Sequence, residues 1–404
     1  MLSSSKLMAV IVALYTLVGV LPVFDHAIVK VPGPAVQDAS WAAVLFMLGT
    51  VGGFMVSQFG RSTISAAQDQ WLADGFRLAL ATLLLASLYV LAAGPTPPML
   101  SAAMGESSFD AALLREDALK LSGDRVFVQV YSQTRDIVVP VVFTLGLRLL
   151  LQGRASSVHW AWPALGVLLS MFIGAWSGQK ATIINYLLAA MLCLAPSVPA
   201  MGLWAVRALP VVALLLAATF LATTGEFFSA SSDELGLVLE AVWEGFVYRV
   251  FEGPLEVSAA FVDAVDRGHL LQPVHVLPGL RWLDPWPTSV ENRIGMEYFY
   301  TGIDSISANG LAFAYAYVAG GWPGALLGGL LCALVLSLCV RIARAGGSPF
   351  LCAAYEAYLA YLVLDLLNSN FMDYLIKALV ISLGVWVMSR WQQLLPRRQR
   401  ADGS

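Results

Sequence analysis

Apolar runs of near membrane-crossing length, separated by short polar joints and broken by one long polar stretch, constrain this chain most. The runs lie near 7–24, 41–59, 77–94, 136–152, 159–176, 181–196, 203–224, 311–340, 350–367 and 371–390. A helix needs roughly 20 predominantly apolar residues to cross the hydrocarbon core of a bilayer. Between the seventh and eighth runs lies residues 225–308, polar and dense in charge. Composition agrees with the pattern. The chain is 58% hydrophobic and 12% charged, with a mean hydropathy of +0.74, whereas soluble proteins carry roughly 25% charged residues. The expected fold is therefore an all-α polytopic membrane protein with about ten transmembrane helices. Residues 1–404 form a single integral membrane domain, and 225–308 is a helix-containing loop or cap within it. A loop of roughly 80 residues is too small for an independent core of its own. There is no tandem repeat and no low-complexity segment.

Local signals refine this picture. The run 311–340 is too long for one simple span and is interrupted by Gly320-Gly321-Trp322-Pro323-Gly324. That reads as a short half-helix, a break, and a full span from about 323. Broken helices at membrane depth persist only where they are buried in protein or line a watery cavity. The first run, Leu7 to Phe24, lacks a small-residue cleavage site and reads as an uncleaved first span. Residues 106–122 read as an amphipathic helix on the outer surface. Ser231-Ser232-Asp233-Glu234 reads as a helix start, with the helix running to about Arg267 and kinked at Pro254. The proline-rich stretch 270–290 reads as irregular. Cys193, Cys332, Cys339 and Cys352 sit in apolar runs without metal spacing and read as small core hydrophobes. The tryptophans and tyrosines suit interfacial belts.

Charge sets the orientation. With the N-terminus in the cytoplasm, cytoplasmic segments hold 12 basic and three acidic residues, and the opposite side holds ten basic and 21 acidic. This is a positive-inside bias. Both termini are expected inside, with 94–135 and 225–308 outside, which in a bacterium is the periplasm.

Motifs exclude several chemistries. There is no GxxxxGK[ST] and no GxGxxG after a strand, so ATP coupling and dinucleotide chemistry have no anchor. There is no HExxH, and His26, His159, His269 and His275 are not in ligand spacing; no metal site is expected. His269 and His275 read as solvated loop histidines. No DxD pair lies on the cytoplasmic side for a nucleotide-sugar enzyme.

Outward-facing cations remain. Lys180, in Ser177-Gly178-Gln179-Lys180, lies at the outer tip between the fifth and sixth spans. Arg135 opens the fourth span, Arg249 lies mid-helix in the loop, and Arg281 and Arg293 follow. Arg offers a planar fork to phosphate oxygens and Lys a compact charge, so this set suits a diphosphate. Arg249, Glu252 and Glu256 stand at i, i+3 and i+7 on one helical face. That face presents a cation and a carboxylate able to take the proton of an attacking sugar hydroxyl. Trp243, Phe246, Tyr248 and Phe251 lie nearby. A second cluster joins Tyr298, Phe299 and Tyr300 with Arg293, Glu297 and Asp304. Both clusters suit carbohydrate, and both also suit an interfacial belt. Glu356, Asp365 and Asp373 are costly at membrane depth and invite a transporter reading. Lys377, one turn after Asp373, is its expected partner.

In layout and short motifs the chain resembles the bacterial O-antigen polymerase (Wzy) family. The resemblance rests on Ser177-Gly178-Gln179-Lys180 followed by apolar Ala181–Leu194, and on the late outer loop with Tyr248-Arg249. It rests also on Ala308-Asn309-Gly310 leading into Tyr315-Ala316-Tyr317-Val318-Ala319-Gly320-Gly321-Trp322-Pro323-Gly324-Ala325-Leu326-Leu327. It covers residues 125–345. The family often carries Arg where this chain has Lys180. The resemblance implies a GT-C-like membrane glycosyltransferase acting at the periplasmic face of the inner membrane, without metal or cofactor. Its substrate would be an undecaprenyl-diphosphate-linked oligosaccharide, held within the lipid bilayer. A chain-length regulator and a flippase are the implied partners, and no nucleic acid is involved. Arg249, Glu252 and Glu256 would be catalytic. Lys180, Arg135, Arg249, Arg281, Arg293, Tyr300 and Asp304 would bind substrate and diphosphate. Two alternatives stay open: an O-antigen ligase acting on lipid A–core, and a polysaccharide or lipid transporter.

Overall fold

The computed structural model describes residues 33–57, 69–94, 125–151, 159–176, 180–194, 253–268, 271–277, 290–299, 310–345, 349–366 and 371–394. Among the described residues every regular element is helical, and no strand occurs. In chain order these are α1 (Gly33–Ser57), α2 (Asp69–Ala93), α3 (Arg125–Gln133), a π-helical turn (Thr134–Val138), α4 (Val139–Leu151), α5 (Ala161–Trp176), α6 (Lys180–Leu194), α7 (Gly253–Asp266), α8 (Pro273–Val276) and α9 (Val290–Ile294). A second π-helical turn (Gly295–Phe299) follows α9, and then come α10 (Ala312–Ala345), α11 (Pro349–Leu366) and α12 (Phe371–Leu394).

Among the described residues, three stretches are long and apolar enough to cross a membrane: Gly33–Met55, Asp74–Ala93 and Ala312–Ile342. The apolar helices Ala161–Trp176, Asn185–Leu194 and Leu375–Val387 are shorter. At 1.5 Å per residue, the 16 described residues of α5 reach about 24 Å, short of the ~30 Å hydrocarbon core. The fold is thus all-helical and membrane-associated. The expected runs 7–24 and 203–224, the surface helix 106–122 and the loop segment 225–252 lie outside the described residues.

The break in α10 is where the glycines place it. Gly320 and Gly321 leave helical geometry, and Gly321 has φ +61°, a conformation L side chains rarely adopt. Pro323 follows, so the second arm begins where a proline is tolerated. The arms meet closely: a Cβ on Gly324 would strike the Ala316 carbonyl oxygen. Tyr317 and Trp322 pack edge to face across the break at 5.3 Å. Leu311 to Val318, the body of the first arm, is buried throughout.

The second arm packs on α1 with almost no side-chain spacer. A Cβ at Gly49 would meet the Leu326 carbonyl, and one at Gly329 would meet the Phe46 carbonyl. Gly53 faces Ala333 at the same crossing. Small residues four apart on both helices allow this approach. Packing and dispersion drive it in lipid, where apolar burial alone does not distinguish a helix from a tail. α7 lies against α1 and α10, while α4 packs on α5, α6, α11 and α2. α11 and α12 connect the two groups by contacting α10 and each other.

Of the four cysteines expected as small core hydrophobes, Cys332 and Cys339 are buried and Cys193 and Cys352 are half-buried. His275 departs from its expected role as a solvated loop residue. Its Nδ1 accepts the Gln272 backbone N–H at 3.0 Å and caps α8.

Candidate functional site

Two polar constellations are built into this apolar frame. The first forms where the loop helices meet the first arm of α10. α7 ends as expected, near Arg267, with Gly268 at φ +77° closing the helix. Ser258, buried on α7, donates to the Pro254 carbonyl at 2.7 Å and accepts the Leu311 N–H at 3.0 Å, tying α7 to the start of α10. Phe261 packs edge-on against Tyr315 at 4.9 Å.

Three tyrosine hydroxyls each donate to a carboxylate across elements. Tyr298 reaches Asp263 Oδ2 at 2.7 Å, Tyr315 reaches Glu291 Oε1 at 2.8 Å, and Tyr317 reaches Asp266 Oδ1 at 3.1 Å. Arg267 Nε adds an ion pair to Asp263 Oδ2 at 2.7 Å. Hydroxyl-to-carboxylate bonds are about twice as strong as neutral ones, so this set fastens α7, α9 and α10 at three corners. Burial, and then the Asp263 carboxylate, push the Tyr298 phenol well above its ordinary range. Glu256 and Arg293 are both buried in this region, at 2% and 3% exposure, on the adjoining helices α7 and α9.

The second constellation centres on the π-helical turn between α3 and α4. The Val139 N–H bonds back to the Thr134 carbonyl, five residues earlier. Such turns insert one residue and redirect the side chains around it. Here they aim Arg135 and Asp136 inward, joined by an Arg135 Nε to Asp136 Oδ1 ion pair of 2.7 Å. The Arg135 guanidinium lies 5.7 Å from the Tyr131 ring centre. Tyr186 donates to the Arg135 carbonyl at 2.8 Å and stacks near Tyr361 at 5.2 Å. Beside the pair is a cavity of about 250 Å³, lined by Gln133, Asp136, Ile137, Tyr358, Tyr361, Leu362, Ile376, Lys377, Val380 and Ile381.

The predicted residues therefore separate. Arg293 and Glu256 share the α7–α9–α10 junction. Arg135 lies elsewhere. It sits ten residues into a continuous helical rod from Arg125, paired with Asp136, because the helix begins earlier than the apolar run. Lys180 is the first described residue of α6. Arg249, Glu252, Arg281, Tyr300 and Asp304 lie outside the described residues. Asp136, Tyr186, Tyr361 and the cavity-lining role of Lys377 were not singled out by the sequence reading. An Arg-Asp dipeptide inside an apolar helix was the available signal, since ionisable groups at that depth need partners. Among the described residues no group of three or more His, Cys, Asp or Glu is placed to hold a metal ion.

Comparison with protein-family models, curated proteins and solved structures gives no match.

Proposed function

We propose that the protein is a metal-independent membrane glycosyltransferase. It polymerises undecaprenyl-diphosphate-linked oligosaccharide repeat units at the periplasmic face of the bacterial inner membrane. The observation that carries this reading is the junction of α7, α9 and the first arm of α10. There a segment of the polar loop, with buried Glu256 and Arg293, is bonded to a broken membrane helix. A polar loop fastened to a broken apolar helix supports a site for a lipid-linked sugar, whose reacting bond lies at the edge of the lipid.

In the proposed reaction a hydroxyl of the incoming unit attacks the anomeric carbon of the growing glycan. The bond from that carbon to the diphosphate oxygen breaks, and the carrier diphosphate leaves with its electron pair. The hydroxyl proton passes to a carboxylate. Cations stabilise the departing charge, a role for which preorganised donors are worth several kcal/mol. Lys180, Arg249 and Arg293, helped by Arg281, are assigned that role. Glu252 or Glu256 is assigned as the general base, with the other as a partner for Arg249. Tyr300 and Asp304 stay assigned to sugar binding.

The test is the polysaccharide ladder in a deletion strain carrying Lys180→Ala, Arg249→Ala or Arg293→Lys. Each variant is expected to abolish polymer at normal protein level. Normal chain length in all three would overturn the assignment. An O-antigen ligase would differ only in acceptor. A transporter is the second reading, favoured by one observation: the Arg135–Asp136 pair and Lys377 beside a cavity in apolar helices. It predicts movement of the lipid-linked saccharide without any new glycosidic bond.

A further inference from the structure

The cavity beside the π-helical turn is distinct from the α7–α9–α10 junction, and its chemistry is unlike that of a diphosphate site. Its walls come from α3 and the π turn on one side, α11 on a second, and α12 on a third. Ile376 and Val380, both on its lining, are 46% and 64% exposed, so α12 presents an apolar, open edge. In a bilayer such an edge faces acyl chains. Its lining carries a carboxylate (Asp136), two buried tyrosines (Tyr358 and Tyr361) and, at its exposed edge, an ammonium (Lys377) and an amide (Gln133). Arg135 is ion-paired to Asp136 through Oδ1, and Asp365 lies within electrostatic range of Tyr361.

These charges decide the class of occupant. Arg135 and Lys377 stand against Asp136 and, at the ends of α11 and α12, Asp365 and Asp373, so charges of both signs surround the site. A headgroup of one charge meets like charge as well as opposite charge there. A zwitterion meets a carboxylate for its cation and an ammonium for its anion. Size limits the occupant further. Sites for drug-sized ligands hold about 300–1,000 Å³, and this one holds about 250 Å³, too little for an oligosaccharide repeat unit. Lys377 is on α12, six residues past Phe371, so it lies about 9 Å along the helix from its first described turn. Its stem is long enough to carry the charge back toward the interface, where phospholipid headgroups sit.

We infer that the groove between the π turn, α11 and α12 binds a zwitterionic aminophospholipid of the bilayer, phosphatidylethanolamine in chemical type. Its primary ammonium meets Asp136, its phosphate meets Lys377, and its acyl chains lie along Ile376 and Val380. The three N–H donors of a primary ammonium suit a carboxylate and phenolic oxygens, whereas a quaternary ammonium offers none. The inference rests on membrane insertion alone and stands or falls separately from glycosyl transfer.

The experiment uses full-length protein in nanodiscs of equal parts phosphatidylethanolamine, phosphatidylcholine and phosphatidylglycerol, released into mild detergent and read by native mass spectrometry. Retained lipid is expected to be phosphatidylethanolamine, at least fivefold over either other lipid. Asp136→Asn and Lys377→Gln are each expected to reduce that preference to below twofold. Asp136→Asn removes an ion-pair partner and can lower stability, so Val380→Trp serves as a second variant. Its position is exposed, and its bulk obstructs the mouth without touching the charges. It is expected to lower total retention at least threefold at unchanged thermal stability. Equal retention of the three lipids, a preference for phosphatidylglycerol, or a preference untouched by both Lys377→Gln and Val380→Trp would overturn the inference.

Discussion

Replacing Gly49 with alanine tests the packing on which the rest of the structure depends. An added Cβ would lie against the Leu326 carbonyl and 2.9 Å from the Leu330 nitrogen, both backbone atoms that cannot swing aside. The helices must separate, and overpacking of this kind costs about 1–3 kcal/mol. Gly52, three residues on, has nothing within 4 Å of its Cβ position. Gly→Ala in a helix interior gains roughly 1 kcal/mol of propensity in either case, so the difference between the two variants isolates the strain. Gly49→Ala is expected to be less stable than Gly52→Ala by about 1–3 kcal/mol, or about 5- to 150-fold in the unfolding equilibrium. Gly329→Ala, whose Cβ would meet the Phe46 carbonyl, should behave like Gly49→Ala. The double variant should cost less than the sum, because one helix displacement relieves both contacts. SDS-induced unfolding in mixed micelles, followed by tryptophan fluorescence, measures all four. Gly49→Ala as stable as Gly52→Ala would refute the close crossing of α1 and α10.

Other expectations follow from the polar junctions. Loss of the general base, by Glu252→Gln or by Glu256→Gln, should lower turnover about 10²–10⁴-fold with substrate still bound; near-normal turnover of both variants in purified enzyme would place the base elsewhere. The Tyr298 phenol is pushed up by burial and by Asp263, so its neutral form is favoured in the folded state. That contribution is complete below the ordinary phenol range near pH 10 and is lost as pH rises through the folded value. The thermal midpoint should therefore fall more steeply above pH 10 in the parent protein than in Tyr298→Phe, and matching profiles would count against the Asp263 contact. Reporter fusions after Gly225 and after Arg344 should lie on opposite sides of the membrane; the same side for both would sink the proposed topology.

Much of the helical frame was legible because hydropathy and breakers act locally. The interruption of α10 is written in Gly320-Gly321-Trp322-Pro323-Gly324, where positive φ and a missing N–H act at the residues themselves. The end of α7 near Arg267 was legible for the same reason. The crossing of α1 and α10 was present as Gly49 with Gly53 and Gly329 with Ala333, yet a hydropathy scan counts these residues only as apolar filler. Their meaning appears when two backbones touch. The site was less legible. Arg135 stands beside the start of an apolar run, whereas the helix itself starts at Arg125 and carries Phe127 and Tyr131, which pack on Trp176. The tyrosine-to-carboxylate bonds join residues 24 to 51 positions apart, and no spacing rule reaches that far. His275 shows the reverse case: its pairing with Gln272 is local, a cap at N3, and was open to a sequence reading.

The most direct test of glycosyl transfer is a single reaction. Full-length protein in nanodiscs is incubated with the undecaprenyl-diphosphate-linked repeat unit extracted from its own cells, and the lipid products are separated by mass. The expected result is a ladder of glycans carrying two or more units on one carrier, with undecaprenyl diphosphate released for every unit joined and no ladder from Arg249→Ala. Repeat units recovered unchanged in length, with no carrier diphosphate released, would contradict it.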